Sequence, residues 1–421
     1  MAEKFSRNTT ASLYLIALAG NIAFGVENQY YNVFLYNVIA PSPFYVSLMV
    51  AITAAVSTFT AMFMGAFSDI KGNRRKFMLY SFVFWAITTA MFPFAAFITN
   101  VLMAVTTAIL FDSIMSYFGA TAYDAAFRAY IIDISTLENR GKATAINEIM
   151  TLVATLITYG VSGFIIEAFG YYIFFIIIGV ITGIFGLSGS LIAKDSPDLK
   201  PLEIKYWKHI KSTFNVESIR EHKNLFVVLI AIGIWAIGFN VFFPFIIIYL
   251  QHYIGLDLMS SSLVVFIALL VSIILGIPIG KLVDRGGRKK YAIYSVIVLS
   301  GSLILYSLVT DIIILTIFGI MWVLGMTTWH IAAQTWVNDL FPKEKAAHFQ
   351  GYYLIFNVLI GMFVGPFIGN LIAETWGTPI IIDGIPGLVP PPQIYSIAAV
   401  IMLLAIIPVL KAKDYKQIRK A

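Results

Sequence analysis

The sequence predicts an all-α membrane protein. Twelve transmembrane helices form two six-helix bundles, with both termini cytoplasmic. Three observations predict this. The 421 residues are 59% hydrophobic and only 12% charged, with a mean hydropathy of +0.86, whereas an average soluble domain is about 25% charged. Twelve stretches reach the ~20 apolar residues that a transmembrane helix needs. Lys and Arg gather on one side of those stretches, the pattern of cytoplasmic loops. So little charge cannot cover a water-soluble surface, which excludes a soluble enzyme. An aromatic content of 15% excludes disorder. With no Cys in the chain, disulfide frameworks, thiol catalysis and Cys-ligated metals are excluded too.

The stretches cover residues 12–39, 44–67, 77–98, 101–132, 144–169, 171–193, 225–251, 260–282, 291–310, 312–338, 349–374 and 393–410. Unbroken apolar runs such as Ile173–Ile181 and Leu263–Ile279 fit helices. A barrel would show alternating segments of ~10 residues instead. The first stretch carries Asn21, Glu27, Asn28 and Asn32 and lacks a small-residue cleavage site. It therefore reads as a retained span and not a signal peptide.

Orientation follows from the cations. The N-terminus, the alternate loops, the long middle loop and the C-terminal tail hold 27 of the 28 Lys and Arg residues. Only Arg128 lies inside a span, and the opposite face has none. The net charge of +6 is therefore a topology signal and a contact with anionic lipid heads. It is not a nucleic-acid footprint.

The polar loop 194–224 separates an N-terminal six-helix bundle, 1–193, from a C-terminal one, 225–421. Within the loop, Ile204–Phe214 reads as a short interfacial helix. The halves repeat one another. Gly65-Ala-Phe-Ser-Asp69-Ile-Lys-Gly72 lies between spans 2 and 3, and Gly280-Lys-Leu-Val-Asp284-Arg-Gly-Gly287 lies between spans 8 and 9, 215 positions later. Arg128…Asp133…Glu138 precedes Gln334…Asp339…Glu344 by 206 positions. Ala23-Phe-Gly25 and Tyr36 precede Ala236-Ile-Gly238 and Tyr249 by 213. Three matches in one order argue for a duplicated six-helix unit.

The two glycine- and cation-rich loops, Gly65…Asp69…Gly72-x-Arg74-Arg75-Lys76 and Gly280…Asp284…Gly287-Arg288-Lys289, resemble the signature loop of the major facilitator superfamily. The resemblance covers essentially the whole chain. Asn73 stands where an Arg is common, and Ala346 stands where Arg140 supplies a cation in the first half. Physically, Gly65 and Gly280 would permit close helix approach, and Gly72 and Gly287 a tight reversal. Asp69 and Asp284 would accept hydrogen bonds from a facing helix start or pair with Arg. The resemblance implies that these loops form a latch between the halves. The conformational set is Gly65, Asp69, Gly72, Arg74, Arg128, Asp133, Arg140, Glu148, Gly280, Asp284, Gly287, Arg288 and Asp339.

Ionisable groups inside a span cost a few kcal/mol even on lenient scales and are functional candidates by default. Glu27 lies ~22 Å along span 1 at 1.5 Å per residue, near mid-membrane. There a carboxyl can bind a proton or a cationic group, or sit hydrogen-bonded within the packing. The repeat sets Glu27 opposite Asn240, and the resemblance implies that spans 1, 4, 7 and 10 line a central cavity. Asn21, Asn28 and Asn32 share a helical stripe about 100° from Glu27. Asp112 is a second proton-site candidate on span 4. Asp124 and Arg128 stand at i, i+4 and can pair, with Glu148 at similar depth. This cluster reads as a static network joining spans 4 and 5, or as a gate or proton relay. The repeat matches it with His330 and Gln334, and an imidazole changes charge near neutral pH.

Trp235, Trp322, Trp329 and Tyr123 sit on cavity-lining spans. Their faces can stack sugars or hold cations, although packing is the commoner use. Substrate and proton candidates are thus Glu27, Asn28, Asp112, Asp124, Asn240, Trp329 and His330. Gly361-x-x-x-Gly365-Pro366-x-x-Gly369 reads as a packing and kink element of span 11. Span 5 has Gly160-Val-Ser-Gly163 without Pro, unlike the Gly-Pro motif of proton-coupled drug exporters. There is no phosphate-binding loop, hydrolase motif or metal-ligand spacing.

The resemblance implies a secondary transporter that moves a small organic solute by alternating access, by proton symport of a sugar or organic ion. Multidrug or metabolite efflux by proton antiport stays open. So does a non-transporting receptor or lipid scramblase on the same fold. A membrane enzyme would need a constellation that the sequence lacks. The protein is expected in the cell membrane as a monomer without cofactor or metal. Its expected partners are solute, protons and lipids, and no nucleic acid.

Overall fold

The structure, a computed structural model, describes residues 5–136, 139–202, 206, 221–341 and 346–414, and the side chains of Arg140, Asp284 and residues 346–348 lie outside that description. The first five helices are α1 (Arg7–Ile39), α2 (Pro43–Lys71), α3 (Arg75–Phe97), α4 (Val101–Asp133) and α5 (Arg140–Ile192). They are followed by α6 (Lys223–His252), α7 (Leu258–Gly286), α8 (Arg288–Tyr306), α9 (Ile312–Leu340), α10 (Phe349–Trp376) and α11 (Gln393–Lys411). Ten of these stretches are long and apolar enough to cross a membrane. α8 is not among them, because it opens with Arg288-Lys289-Lys290 and carries Ser295, Ser300 and Ser302. α5 covers two expected spans. It breaks at Gly170 (φ 81°, ψ 165°), a conformation that carries no Cβ penalty in glycine. Gly170 is the residue that separates the fifth and sixth apolar stretches.

Polar caps start the helices where the apolar runs begin. Asn100 accepts the Met103 N–H at 3.0 Å for α4, and Asp257 accepts the Ser260 N–H at 2.6 Å for α7. Asp311 accepts the N–H groups of Ile313 and Ile314 at 3.0 Å for α9. Each satisfies donors that a helix start leaves open. Among the described residues four segments are wound as π-helix: Glu27–Tyr31 and Leu35–Ile39 in α1, Ala120–Phe127 in α4 and Ile355–Leu359 in α10. Such widened turns gather at functional sites. Glu27 and Asp124 lie on two of them.

The chain divides into two compact units, one of Met1–Ala40 with Ile52–Ser212 and one of Pro41–Ala51 with Thr213–Ala421. In the first, α1 and α3 both pack along α5, and α3 also packs on α4. Small residues set the α3–α5 distance: a Cβ at Gly179 would come 2.6 Å from the Ala86 carbonyl oxygen. In the second, α6 packs on α10 and α11, α8 on α9 and α11, and α7 on α9. Gly361, Gly365 and Gly369 of α10 all abut α6, at Ala236, Ile237 with Asn240, and Val241. The glycine stripe of span 11 is thus the α6–α10 seam.

Between α10 and α11, where no span is expected, the structure forms a hairpin. β1 (Thr378–Ile382) pairs antiparallel with β2 (Ile385–Val389). Asp383 and Gly384 both have positive φ, 49° and 81°, as a two-residue hairpin turn requires, and Asp-Gly is its usual pair. The Leu388 N–H donates to the Pro41 carbonyl at 3.1 Å. Ser47 Oγ donates to the Pro366 carbonyl at 2.7 Å. These bonds hold residues 41–51 in the second unit.

Candidate functional site

The first unit buries a carboxyl pair. Glu27 opens the π-wound turn of α1, while Asp112 and Ser116 stand one turn apart on α4. Ser116 Oγ donates to Glu27 Oε1 at 2.5 Å. The Asp112 carboxyl lies against the same Glu27 side chain. Asp112 is 2% exposed. Glu27 Oε2 and Asp112 Oδ1 are both buried without a hydrogen-bond partner. Among the described residues no cation pairs with either acid. Tyr31, one turn after Glu27, donates to Met115 Sδ at 2.9 Å and stacks on Phe92 at 3.8 Å. The sequence treats Glu27 and Asp112 as separate candidates, and the fold joins them. Ser116 and Tyr31 were missed, although their i+4 spacing from Asp112 and Glu27 was a legible signal.

A polar chain crosses the same unit nearby. Asn21 Nδ2 donates to Tyr123 Oη at 2.6 Å, and Tyr123 Oη donates to Asn147 Oδ1 at 2.7 Å. Thr151 Oγ1 donates back to Asn21 Oδ1 at 3.1 Å. α1, α4 and α5 are thereby tied together. Gly20 makes room for the chain, because a Cβ there would run into the Tyr123 ring. Asp124, beside Tyr123, pairs with Arg128 at 3.1 Å. Arg128 has a half-exposed side chain, and Glu148 is exposed on α5. The structure therefore pairs Arg128 with Asp124 along one helix. The polar tie between α4 and α5 is Tyr123–Asn147. Asn28 turns its amide back to the Phe24 carbonyl at 2.8 Å.

The second unit is aromatic where the first is acidic. Trp235 stacks between Phe239, at 5.1 Å, and Trp329, at 5.6 Å. The His330 ring meets Trp235 edge-on at 5.0 Å. Trp329 is 2% exposed and belongs to the α6–α9 core. His330 is exposed and Phe239 half-buried. Asn240 differs from the expectation of a cavity position. It is 7% exposed, donates to the Ala236 carbonyl at 2.9 Å and packs its Cβ against Gly365. Its helical phase faces α10, so packing claims its side chain.

The loop residues build an ion cluster within each unit. Arg74 is 4% exposed, and all three of its nitrogens are engaged. Nε donates to Asp133 Oδ2 at 2.8 Å, and the terminal nitrogens donate to Ser68 Oγ and Asp69 Oδ1. The planar fork of Arg suits such multiple recognition. Gly72 turns with φ 57°, and a Cβ there would come 2.7 Å from the Pro201 nitrogen. In the second unit Arg288 Nε lies 3.4 Å from Asp339 Oδ2, and Gly287 turns with φ 98°. These contacts of Asp69 and Asp339 lie inside their own units. An added Cβ at Gly280 would meet nothing within 4 Å, and at Gly65 only the Ala125 Cβ at 4.0 Å. Neither glycine serves a close helix approach within its unit, contrary to the packing role expected of both. The side chains of Arg140 and Asp284, with Glu138 and Glu344, lie outside the described residues, as does the segment 204–214 except Tyr206.

Known proteins resemble this chain in sequence and fold. A sequence profile of the Major Facilitator Superfamily matches residues 10–366. Multidrug resistance protein 2 of Bacillus subtilis is 22% identical over 245 residues, 58% of each chain. An uncharacterised MFS-type transporter of Methanocaldococcus jannaschii is 26% identical over 157 residues, 37% of this chain and 40% of the relative. The chain thus matches about half the length of these curated relatives. The nucleoside transporter NupG superposes with a TM-score of 0.72 at 13% identity, over 96% of this chain and 100% of that one. The xylose transporter XylE from E. coli, in an inward open conformation, gives 0.71 at 15% identity, over 98% and 99%. A profile that spans most of the chain, on a fold shared with these solved structures, makes the family plain: the chain belongs to the Major Facilitator Superfamily and is an integral, multi-pass membrane protein.

Proposed function

We propose that the protein is a proton-coupled secondary transporter of a small organic solute, a sugar or an organic ion, working by alternating access. Twelve crossings follow if the two limbs of α5 and the helix α8 each count as one. Both termini and the middle loop then lie in the cytoplasm, with the cations. In this reading the protein works in the cell membrane as a monomer, and it transports its solute without chemical conversion.

The observation that carries the proposal is the Glu27–Asp112 pair. Two acid groups meet inside the first unit, and each leaves one buried oxygen without a donor. A shared proton would supply that donor, since a protonated carboxyl carries one O–H. Exposure of the pair to water in one state of the cycle would offer the proton a solvated exit. Ser116 would hold Glu27 in place in either state. In the second unit Phe239 and His330 are the accessible members of the Trp235 cluster. Their ring faces suit a cation, a heterocycle or the apolar face of a sugar.

Efflux is the second reading, and the named relative from Bacillus subtilis favours it. The direction of flux separates the two in energised vesicles.

The test uses proteoliposomes, an imposed pH gradient and a panel of labelled sugars, nucleosides and organic cations. Glu27→Gln and Asp112→Asn should keep gradient-free exchange and lose proton-driven accumulation. Accumulation by Glu27→Gln at the wild-type rate, with the same pH dependence, would overturn proton coupling at this pair.

A further inference from the structure

A cavity of about 420 Å³ opens in the first unit where the start of α3 meets the end of α5. Its walls include Arg75, Lys76, Tyr80, Lys194 and Asp195. The acid is already engaged: Asp195 Oδ1 accepts the backbone N–H groups of Arg74 at 3.1 Å and Arg75 at 3.0 Å. The Arg75 guanidinium braces the opposite wall. It donates from Nε to the Ser190 carbonyl at 3.2 Å and from a terminal nitrogen to the Leu191 carbonyl at 2.8 Å. Lys76 and Lys194 are exposed and, among the described residues, have no ion-pair partner. The cavity therefore holds an excess of positive charge, with two ammonium groups left to bind an anion.

Its position selects the kind of anion. Tyr80 stands exposed at the wall, and Tyr is enriched at membrane–water interfaces. Toward the membrane, α3 continues with exposed Phe84 and Ile87, and α5 with exposed Ile184 and Leu191. A charged pocket next to bare apolar helix surface matches a molecule with a phosphate head and acyl chains. We infer that this cavity is a binding site for the headgroup of an anionic phospholipid. Lys76 and Lys194 hold its phosphate, and its chains lie along α3 and α5. None of these side chains belongs to the carboxyl pair, and the cavity borders the signature loop through the Asp195 bond to the Arg74 N–H.

Native mass spectrometry of the purified full-length protein tests the site. The probes are palmitoyl-oleoyl phosphatidylglycerol, the matching phosphatidylcholine, the chain-free headgroup glycerophosphoglycerol, and inorganic phosphate. The wild type should retain phosphatidylglycerol in preference to phosphatidylcholine, and the two chain-free probes should not displace it. Lys76→Ala and Lys194→Ala should each weaken retention about five-fold, since a cation near the membrane surface contributes about 1 kcal/mol. Lys76→Arg with Lys194→Arg should restore it. An unchanged thermal midpoint in phosphatidylcholine nanodiscs verifies that each variant is folded. Equal retention of both lipids, or no loss in the alanine variants, would overturn the site. Displacement by phosphate or glycerophosphoglycerol at equal concentration would overturn the lipid assignment in favour of a soluble anion.

Discussion

Arg74 Nε lies 2.8 Å from Asp133 Oδ2, and in the second unit Arg288 Nε lies 3.4 Å from Asp339 Oδ2. One arginine at the start of a helix, just after the glycine turn, reaches one aspartate at the end of the next helix, in both copies of the repeat. The copies are not equal. Arg74 is nearly enclosed and also binds Ser68 and Asp69, while the second pair is longer and more open to solvent.

The two pairs should therefore differ in stability. Removing one member of an enclosed pair leaves an uncompensated charge, at about 3–5 kcal/mol, and the loss is smaller where the pair is longer and partly solvated. Arg74→Ala should depress the thermal unfolding midpoint far more than Arg288→Ala. Equal losses would show that the enclosure of Arg74 does not set its contribution.

Ser116 is expected to matter through Glu27. Its hydroxyl is the donor to Glu27 Oε1, and a buried acceptor left unsatisfied costs about 1–3 kcal/mol. Ser116→Ala should destabilise the purified protein by that order, and Ser116→Thr much less. A double-mutant cycle with Glu27→Gln measures the coupling. A coupling near zero would dismiss the bond.

The glycines offer a contrast. Gly365→Ala would drive a Cβ to 2.6 Å from the Ile237 carbonyl oxygen, and overpacking of this kind costs about 1–3 kcal/mol. Gly280→Ala meets open space and should be neutral or slightly stabilising, because Ala is the better helix former. Thermal midpoints of the two variants should separate clearly. A neutral Gly365→Ala would mean that α6 and α10 can move apart without penalty.

Asp257 gives a pH-dependent term. The Ser260 backbone N–H, then its hydroxyl, holds the Asp257 carboxyl below its usual range. The folded value lies below the unfolded value of about 3.9, so the cap contributes fully at neutral pH. Its contribution is lost as pH falls through the folded value. Asp257→Ala should lower the midpoint at pH 7, with the gap to wild type closing below about pH 4. A gap that stays constant across that range would exclude an ionised cap.

The sequence alone determined the membrane class, and it marked the apolar stretches and the repeated loops. Span length, one-sided cations and repeated loops are properties of the chain's order and need no partner to be read. Gly170 lies between the fifth and sixth apolar stretches, and the break inside α5 falls on it. Asp383-Gly384 was an equally local signal, a two-residue hairpin turn between short isoleucine-rich stretches. Tertiary structure decided the partners. Glu27 and Asp112 are far apart in sequence, and only the packing of α1 against α4 brings their carboxyls together. The phase of α6 turned Asn240 toward Gly365, and that of α9 buried Trp329, which repeat offsets cannot foresee because they carry no helix rotation. Arg128 took its helical neighbour Asp124, while Tyr123 and Asn147 joined α4 to α5. Periodicity says which residues share a face. Which face meets which depends on side-chain volumes and hydrogen bonds across the whole unit, and only the folded chain expresses those.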